Sequence, residues 1–358
     1  MSAKTRVLIA DDSPFVCRLL ASFLHTAGDF EIAGEAHDGR EALQNVLALR
    51  PDVVTLDLDM PEMDGLEALS RIMRECPTPV VAISGVSGRA ATRTLQALDL
   101  GAVDFVLKYS PGASIRPDDL SREILAKVRM ASRIRVVRRV GGRKPPAGKA
   151  AARPHQKSAP AAPQPARALV VIGASTGGPL AVRELLSAFP ASLAAATVVV
   201  QHIPLAFSAV LATQLDRHSR LAVREADDGD ALAGGTVLVA PAGYHLLLRP
   251  AWRVSVHSAV TAAGYCPSID AAMESAARVY GSLAIGVLLT GMGDDGAAGL
   301  AAIHDRGGLT FAQDAQSCVV NGMPQRARDR GAVDRSAPPL TIARLVAEEI
   351  ERRASRAA

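Results

Sequence analysis

The chain has 358 residues, 49% of them hydrophobic, which is too long for one ordinary core and apolar enough for two. Its formal charge of +4 is local: residues 131–167 hold ten Lys or Arg and no acid, and removing those ten leaves the remainder at about −6. That basic run has no aromatic with which to stack on a base, and no apolar stretch approaches the ~20 residues that span a bilayer or forms a signal peptide, so neither nucleic-acid binding nor membrane insertion is expected and the chain reads as cytoplasmic.

From the N-terminus, apolar runs at 7–10, 31–36, 53–57, 80–84 and 104–108 read as five strands with helical patterns between them. Such alternation argues a five-stranded parallel sheet of flavodoxin-like type, whose polar groups gather at the carboxyl ends of the strands. Asp11 and Asp12 follow the first strand, Asp57 closes the third, Ser84 the fourth and Lys108 the fifth. Three carboxylates in one place repel one another, and a hard divalent cation such as Mg2+ relieves the repulsion. A lysine and a hydroxyl beside them suit a phosphoryl group, with one carboxylate as its acceptor. The plainer alternative, that Asp12 caps the next helix, accounts for one acid but not for the set.

The segments Val7-Leu8-Ile9-Ala10-Asp11-Asp12-Ser13, Leu56-Asp57-Leu58-Asp59-Met60-Pro61 and Gly101-Ala102-Val103-Asp104-Phe105-Val106-Leu107-Lys108 resemble the receiver domain of two-component response regulators. The resemblance implies that Asp57 is the phosphoacceptor and that Asp11, Asp12 and Asp57 hold Mg2+. It implies that Lys108 contacts the phosphoryl group and that Ser84 and Phe105 are the switch hydroxyl and switch aromatic. Tyr109 stands where the family has a proline.

Beyond a helical stretch that closes a first domain at 1–130, the composition changes. Pro145, Pro146, Pro154, Pro160, Pro163 and Pro165, set among Ala and basic residues, cannot build a core, so 131–167 reads as an extended linker to a second domain at 168–358. The four cysteines lack metal-ligand spacing and read as small buried hydrophobes.

The second domain opens on a buried run, 169–172, that ends in Gly173-Ala174-Ser175-Thr176-Gly177-Gly178-Pro179. Pro179 with Leu180, Val182, Leu185 and Leu186 marks a helix, so Ser175 occupies a tight strand-to-helix turn. That turn suits a nucleophile, but a bound phosphate as well. The strand at 197–202 ends in Gln201-His202-Ile203-Pro204, one crossover away, and as a neighbour its end would lie roughly 5 Å from Ser175. His245 and His257 fall in an alternating stretch that reads as an antiparallel hairpin. A further buried strand, 284–290, runs into Gly291-Met292-Gly293-Asp294-Asp295-Gly296, where either acid could orient an imidazole or cap the next helix. Serine, histidine and acid at three strand ends point to a nucleophilic triad in a doubly wound, mostly parallel α/β domain.

The chain order serine, histidine, acid departs from the α/β-hydrolases, in which the acid precedes the histidine. The turn at 173–179, Gln201-His202-Ile203-Pro204, Tyr265-Cys266-Pro267-Ser268-Ile269-Asp270 and Leu289-Thr290-Gly291-Met292-Gly293-Asp294-Asp295-Gly296 resemble instead the catalytic domain of the CheB-type protein-glutamate methylesterases. The resemblance implies Ser175 as nucleophile, His202 as base and Asp295 as orienting acid, with the amide of Met292 and the nearby Thr176 at the oxyanion site. Asp294 stands for an Asn common in the family, Asn321 for a bulkier residue and Tyr265 for a His of some members. A phosphorylation-activated serine esterase is implied, one that demethylates glutamate methyl esters and deamidates glutamines on methyl-accepting chemoreceptors to give sensory adaptation. Its phosphodonor would be a chemotaxis histidine kinase, its esterase would need no cofactor, and the chain would be a monomer. The rival readings are a second domain that binds a nucleotide or a partner without catalysis, using residues 173–178 for phosphate, and a DNA-binding regulator, although no helix-turn-helix pattern follows the linker.

Overall fold

The structure, a computed structural model, describes residues 4–85, 87–108, 117–134, 166–258 and 265–356. The chain divides into two compact units, Met1–Lys149 and Ala150–Ala358. The division falls within the expected linker, of which residues 135–165 lie outside the described ones, as does Tyr109.

In the first unit β1 (Thr5–Ala10), β2 (Phe30–Ala36), β3 (Val53–Asp57), β4 (Val80–Ser84) and β5 (Asp104–Leu107) alternate with helices. These are α1 (Pro14–Ala27), α2 (Gly39–Leu49), α3 (Gly65–Glu75), α4 (Gly88–Leu100) and α5 (Pro117–Ala131). The sheet order is β2-β1-β3-β4-β5 and every pairing is parallel, the flavodoxin-like arrangement expected. Every residue of β3 and β4 is buried, because helices cover both faces of the sheet. Strand order reverses between β1 and β3, and the register Ala10↔Leu56 sets Asp11 beside Asp57 in the crevice this reversal opens.

The second unit contains β6 (Ala168–Ala174), α6 (Gly178–Ala188), β7 (Ala195–Gln201), α7 (Ser208–His218), β8 (Ala222–Glu225) and β9 (Thr236–Val239). After the hairpin strands β10 (Tyr244–Arg249) and β11 (Arg253–Ser258) come α8 (Ile269–Tyr280), β12 (Ala284–Leu288), α9 (Ala297–Asp305) and β13 (Leu309–Gln313). The unit closes with α10 (Gly322–Asp329), β14 (Arg335–Ala337) and α11 (Pro339–Arg356). Seven strands form one sheet in the order β14-β13-β12-β6-β7-β9-β8, parallel throughout, and β10 pairs antiparallel with β11 in a separate ribbon that sets His245 opposite His257.

Burial explains the unbroken apolar runs. All seven residues of β6 and all seven of β7 are buried, and each valine so enclosed contributes about 1.5–3 kcal/mol. The turn into α6 requires Gly177, whose φ of 73° lies in the left-handed region, and Pro179 then sits in the first turn, where its missing N–H costs nothing. From β6 the chain winds outward through β7 on one side and, later, through β12 on the other. The strand order therefore reverses at β6, and a crevice opens at the carboxyl ends of β12, β6 and β7.

Candidate active site

Ser175 follows β6, His202 follows β7, and Asp295 lies in the loop after β12, so all three stand at the carboxyl ends of adjoining strands. The register Ala174↔Gln201 brings the first two level, and the His202 amide donates to the carbonyl of Ala174 at 3.0 Å. The Ser175 amide donates to the carbonyl of Thr290 at 3.0 Å, which ties the serine turn to β12 as well. Thr290 Oγ1 lies 3.0 Å from the carbonyl of Thr176 and 3.1 Å from that of Val320, and it accepts the Val320 amide at 2.8 Å. The neighbouring strand therefore laces the turn from beneath.

His202 Nε2 lies 2.7 Å from Asp295 Oδ2. Since a carboxylate accepts, Nε2 carries the proton and Nδ1 is left as the basic nitrogen. Nδ1 is buried without a hydrogen-bond partner, and the bond to Ser175 is not formed in this structure, a looseness usual before substrate binds. Asp295 is 5% exposed and takes three further hydrogen bonds, from the amides of Ile269 at 2.8 Å and Asp270 at 2.9 Å and from Ser268 Oγ at 3.2 Å. Burial raises its pKa, but the hydrogen bonds from His202 and from the Asp270 and Ile269 amides outweigh burial and hold the carboxyl below its usual range. Asp294, the other acid the sequence offers, is exposed, and among the described residues no hydrogen bond or ion pair joins it to the imidazole, which pairs with Asp295. Thr176 is buried and Met292 is 45% exposed, and among the described residues no hydrogen bond occupies either backbone amide. Asn321 accepts from Arg328 Nη2 at 2.5 Å and is thereby held on α10.

Three residues of the segment 265–270 carry roles that the sequence did not assign to them. The Tyr265 ring stacks face to face on the His202 ring, with centroids 4.4 Å apart and planes parallel, and fixes the plane of the imidazole. Burial, and then the charges of Asp294 and Asp295, raise its phenol pKa, so it stays neutral. Ser268 and Asp270 flank the N-terminus of α8, where Ser268 accepts the Ala271 amide at 3.1 Å as N-cap. The spacing Ser268-Ile269-Asp270 ahead of a helical pattern was the available signal.

In the first unit Asp57 is 1% exposed and Asp11 is fully buried, while Asp12 is exposed. One oxygen from each lies within 4.8 Å of the others. Lys108 Nζ lies 2.6 Å from Asp57 Oδ2 and 3.1 Å from Asp11 Oδ2. Burial pushes the Asp57 carboxyl up to about 6 despite the opposing effect of Lys108. Asp11 Oδ2 is buried with the Lys108 ammonium beside it, and an all-oxygen set of three carboxylates fits a hard divalent cation. Ser84 and Phe105 are both buried, Ser84 Oγ accepting from Thr94 Oγ1 at 2.5 Å and the Phe105 ring lying 5.1 Å from Lys127 Nζ.

An acid cluster of receiver type in one unit, with serine, histidine and carboxylate at adjoining strand ends in the other, defines a response regulator with a hydrolase output unit. Residues 170–346 match the family model described as CheB methylesterase, and residues 7–116 match that of the response regulator receiver domain. A protein-glutamate methylesterase/protein-glutamine glutaminase of Pyrococcus abyssi is 38% identical, covering 96% of this chain and 94% of its own. Its counterpart in Geobacillus kaustophilus is 40% identical over 96% and 98%. The crystal structure of the Thermotoga maritima CheB methylesterase catalytic domain, 37% identical, covers 51% of this chain and 97% of that one, with a TM-score of 0.49. The chain belongs to the CheB methylesterase family, in its form with an N-terminal receiver. No helix among the described residues is long and apolar enough to cross a membrane.

Proposed function

We propose that the protein hydrolyses glutamate methyl esters, and deamidates glutamines, on the cytoplasmic domains of methyl-accepting chemoreceptors, under the control of phosphorylation at Asp57. The observation that carries the reading is the 2.7 Å contact of His202 Nε2 with Asp295, which leaves Nδ1 as the free base beside the Ser175 turn. Ser175 Oγ attacks the ester carbonyl carbon while His202 Nδ1 takes its proton, and the Asp295 carboxylate stays ionised and balances the imidazolium. The unpaired amides of Thr176 and Met292 supply donors for the developing oxyanion. As the tetrahedral intermediate collapses, the imidazolium returns its proton to the departing methoxide and methanol leaves. Water, deprotonated by Nδ1, then attacks the acyl-enzyme, and the imidazolium returns that proton to Ser175 Oγ as the glutamate carboxylate is released. With glutamine as substrate, ammonia leaves in place of methanol.

For the receiver, a chemotaxis histidine kinase is the proposed phosphodonor. Asp11, Asp12 and Asp57 would hold Mg2+, which when bound offsets the charge gathered around the acceptor. Asp57 accepts the phosphoryl group, Lys108 pairs with it, and Ser84 and Phe105 respond to its charge. We further propose that 1–130 and 168–358 are the functional domains and 131–167 the linker.

The test is methanol release from methylated receptor. Ser175→Ala and His202→Ala should each remove nearly all turnover while the melting temperature holds, and the double variant should be little worse than either single one. Near-normal release by Ser175→Ala would exclude the nucleophile.

A further inference from the structure

Gln201, the last residue of β7, follows the valines Val198, Val199 and Val200 and is 2% exposed. Its Nε2 donates to two carbonyls at once, that of Ser175 at 2.8 Å and that of His202 at 3.0 Å. We infer that Gln201 is a positioning residue that sets the separation of nucleophile and base by tying both backbones to one amide group. This rests on the esterase reading and adds to it a residue that touches no reacting atom.

The β6–β7 ladder ends just short of the site. Its last aligned pair is Ala174↔Gln201, and the final main-chain bond runs from the His202 amide to the carbonyl of Ala174. Main-chain bonds hold only the amides of Ser175 and His202, to the carbonyls of Thr290 and Ala174, and the Gln201 amide takes hold of their two carbonyls. Both hydrogens of the NH2 are used. Turned the other way, the amide would aim its oxygen at two carbonyl oxygens, so the hydrogen-bond network itself settles the orientation.

Oε1 bears the cost, being buried with no hydrogen-bond partner. It lies against Gly178, where a Cβ would come within 2.1 Å of it. Gly178 is the first residue of α6, and the positive end of that helix gives the oxygen electrostatic relief. The two glycines of the turn thus serve different ends: Gly177 supplies the left-handed backbone, and Gly178 leaves room for the amide. A leucine at 201 would suit a buried strand without the orphaned oxygen, so the side chain is retained for its two donors.

The experiment compares Gln201→Leu and Gln201→Asn with the parent in the full-length chain. Methanol release, labelling by a serine-directed phosphonate and the melting temperature are measured together. Gln201→Leu should lower kcat by roughly 10–100-fold with KM within about 3-fold, since misplacement by an ångström costs a factor of that order. Phosphonate labelling should slow in parallel and still reach one group per chain. Gln201→Asn, whose shorter stem cannot span both carbonyls, should fall between the two. A kcat for Gln201→Leu within 2-fold of the parent overturns the inference, and so does a loss confined to KM. Should Gln201→Leu not fold, Gln201→Asn decides alone: a loss of 5-fold or more in kcat with KM held supports the tie, and any smaller loss refutes it. Ser175→Ala runs alongside, and if it remains active the esterase reading itself falls, whatever Gln201 does.

Discussion

Asp294 and Asp295 are separated by one peptide bond and live in opposite environments. The first is exposed; the second, 5% exposed, accepts from an imidazole, two amides and a hydroxyl. Because those donors hold the Asp295 carboxyl below the usual 3.8, the stability it contributes is fully present above that pH. It is lost only as pH falls through the lower folded value, so the site keeps its negative charge throughout the neutral range. Asp295→Asn should therefore lower turnover by about 10⁴, as neutralising a triad acid does through the wrong tautomer. Asp294→Asn should change turnover by less than about 3-fold, as surface substitutions do. Steady-state methanol release distinguishes the two, and the reverse ranking would move the orienting role to Asp294. Ser175 and His202 were legible in the sequence because each follows a buried apolar run whose end can be counted. Spacing alone left the choice between the two acids open, since adjacent residues in a turn face different ways and the deciding partners, Ile269 and Asp270, lie on another helix; only the resemblance pointed to Asp295.

Between α8 and α9 the capping is reciprocal. Asp295, just ahead of α9, accepts the first amides of α8, while Asp270, in the first turn of α8, accepts the amides of Gly296 at 2.8 Å and Gly299 at 2.6 Å at the start of α9. Each helix thus supplies the anion that completes the other's N-terminus, and the backbone that carries Asp295 is held from both sides. Burial raises the pKa of Asp270 even as the Gly299 and Gly296 amides oppose it, so it has less reserve than Asp295. Asp270→Ala should destabilise the second unit by about 1–2 kcal/mol, the usual worth of a lost cap, and should lower kcat by loosening the residue after Asp295. Asp270→Asn, which keeps an acceptor oxygen, should recover most of both. Denaturant unfolding and turnover read the pair, and an Asp270→Ala chain that is weakened in stability yet unchanged in kcat would confine the cap to a structural role. The helix α9 was expected from its glycine turn, whereas the interlock with α8 required a contact that no local pattern carries. The strands of both sheets were far more legible, because burial on two faces writes itself as an unbroken apolar run.

Every side chain assigned to hydrolysis, and every partner that holds it, lies in the second unit. A fragment from Arg167 to the C-terminus should therefore release methanol without any phosphodonor, and faster than the unphosphorylated full chain if the receiver restrains it. Asp57→Ala in the full chain should keep basal activity and lose all stimulation by a small phosphodonor with Mg2+. A fragment slower than the unphosphorylated whole would instead show that the receiver contributes positively to turnover.

The contact between His202 and Asp295 closes a loop of 93 residues, and the Ser175 turn leans on Thr290, which leans in turn on Gln313 and Val320. Such long-range closures come late in folding. On the ribosome the serine emerges first, followed by its base, and the chain then grows by more than a hundred residues before the last supports exist. A nascent or truncated polypeptide ending before β12 carries Ser175 and His202 but neither Asp295 nor Thr290, so the base lacks its acid and the serine turn its support. Such unfinished copies should release no methanol, because the acid that orients the base is made 93 residues after it.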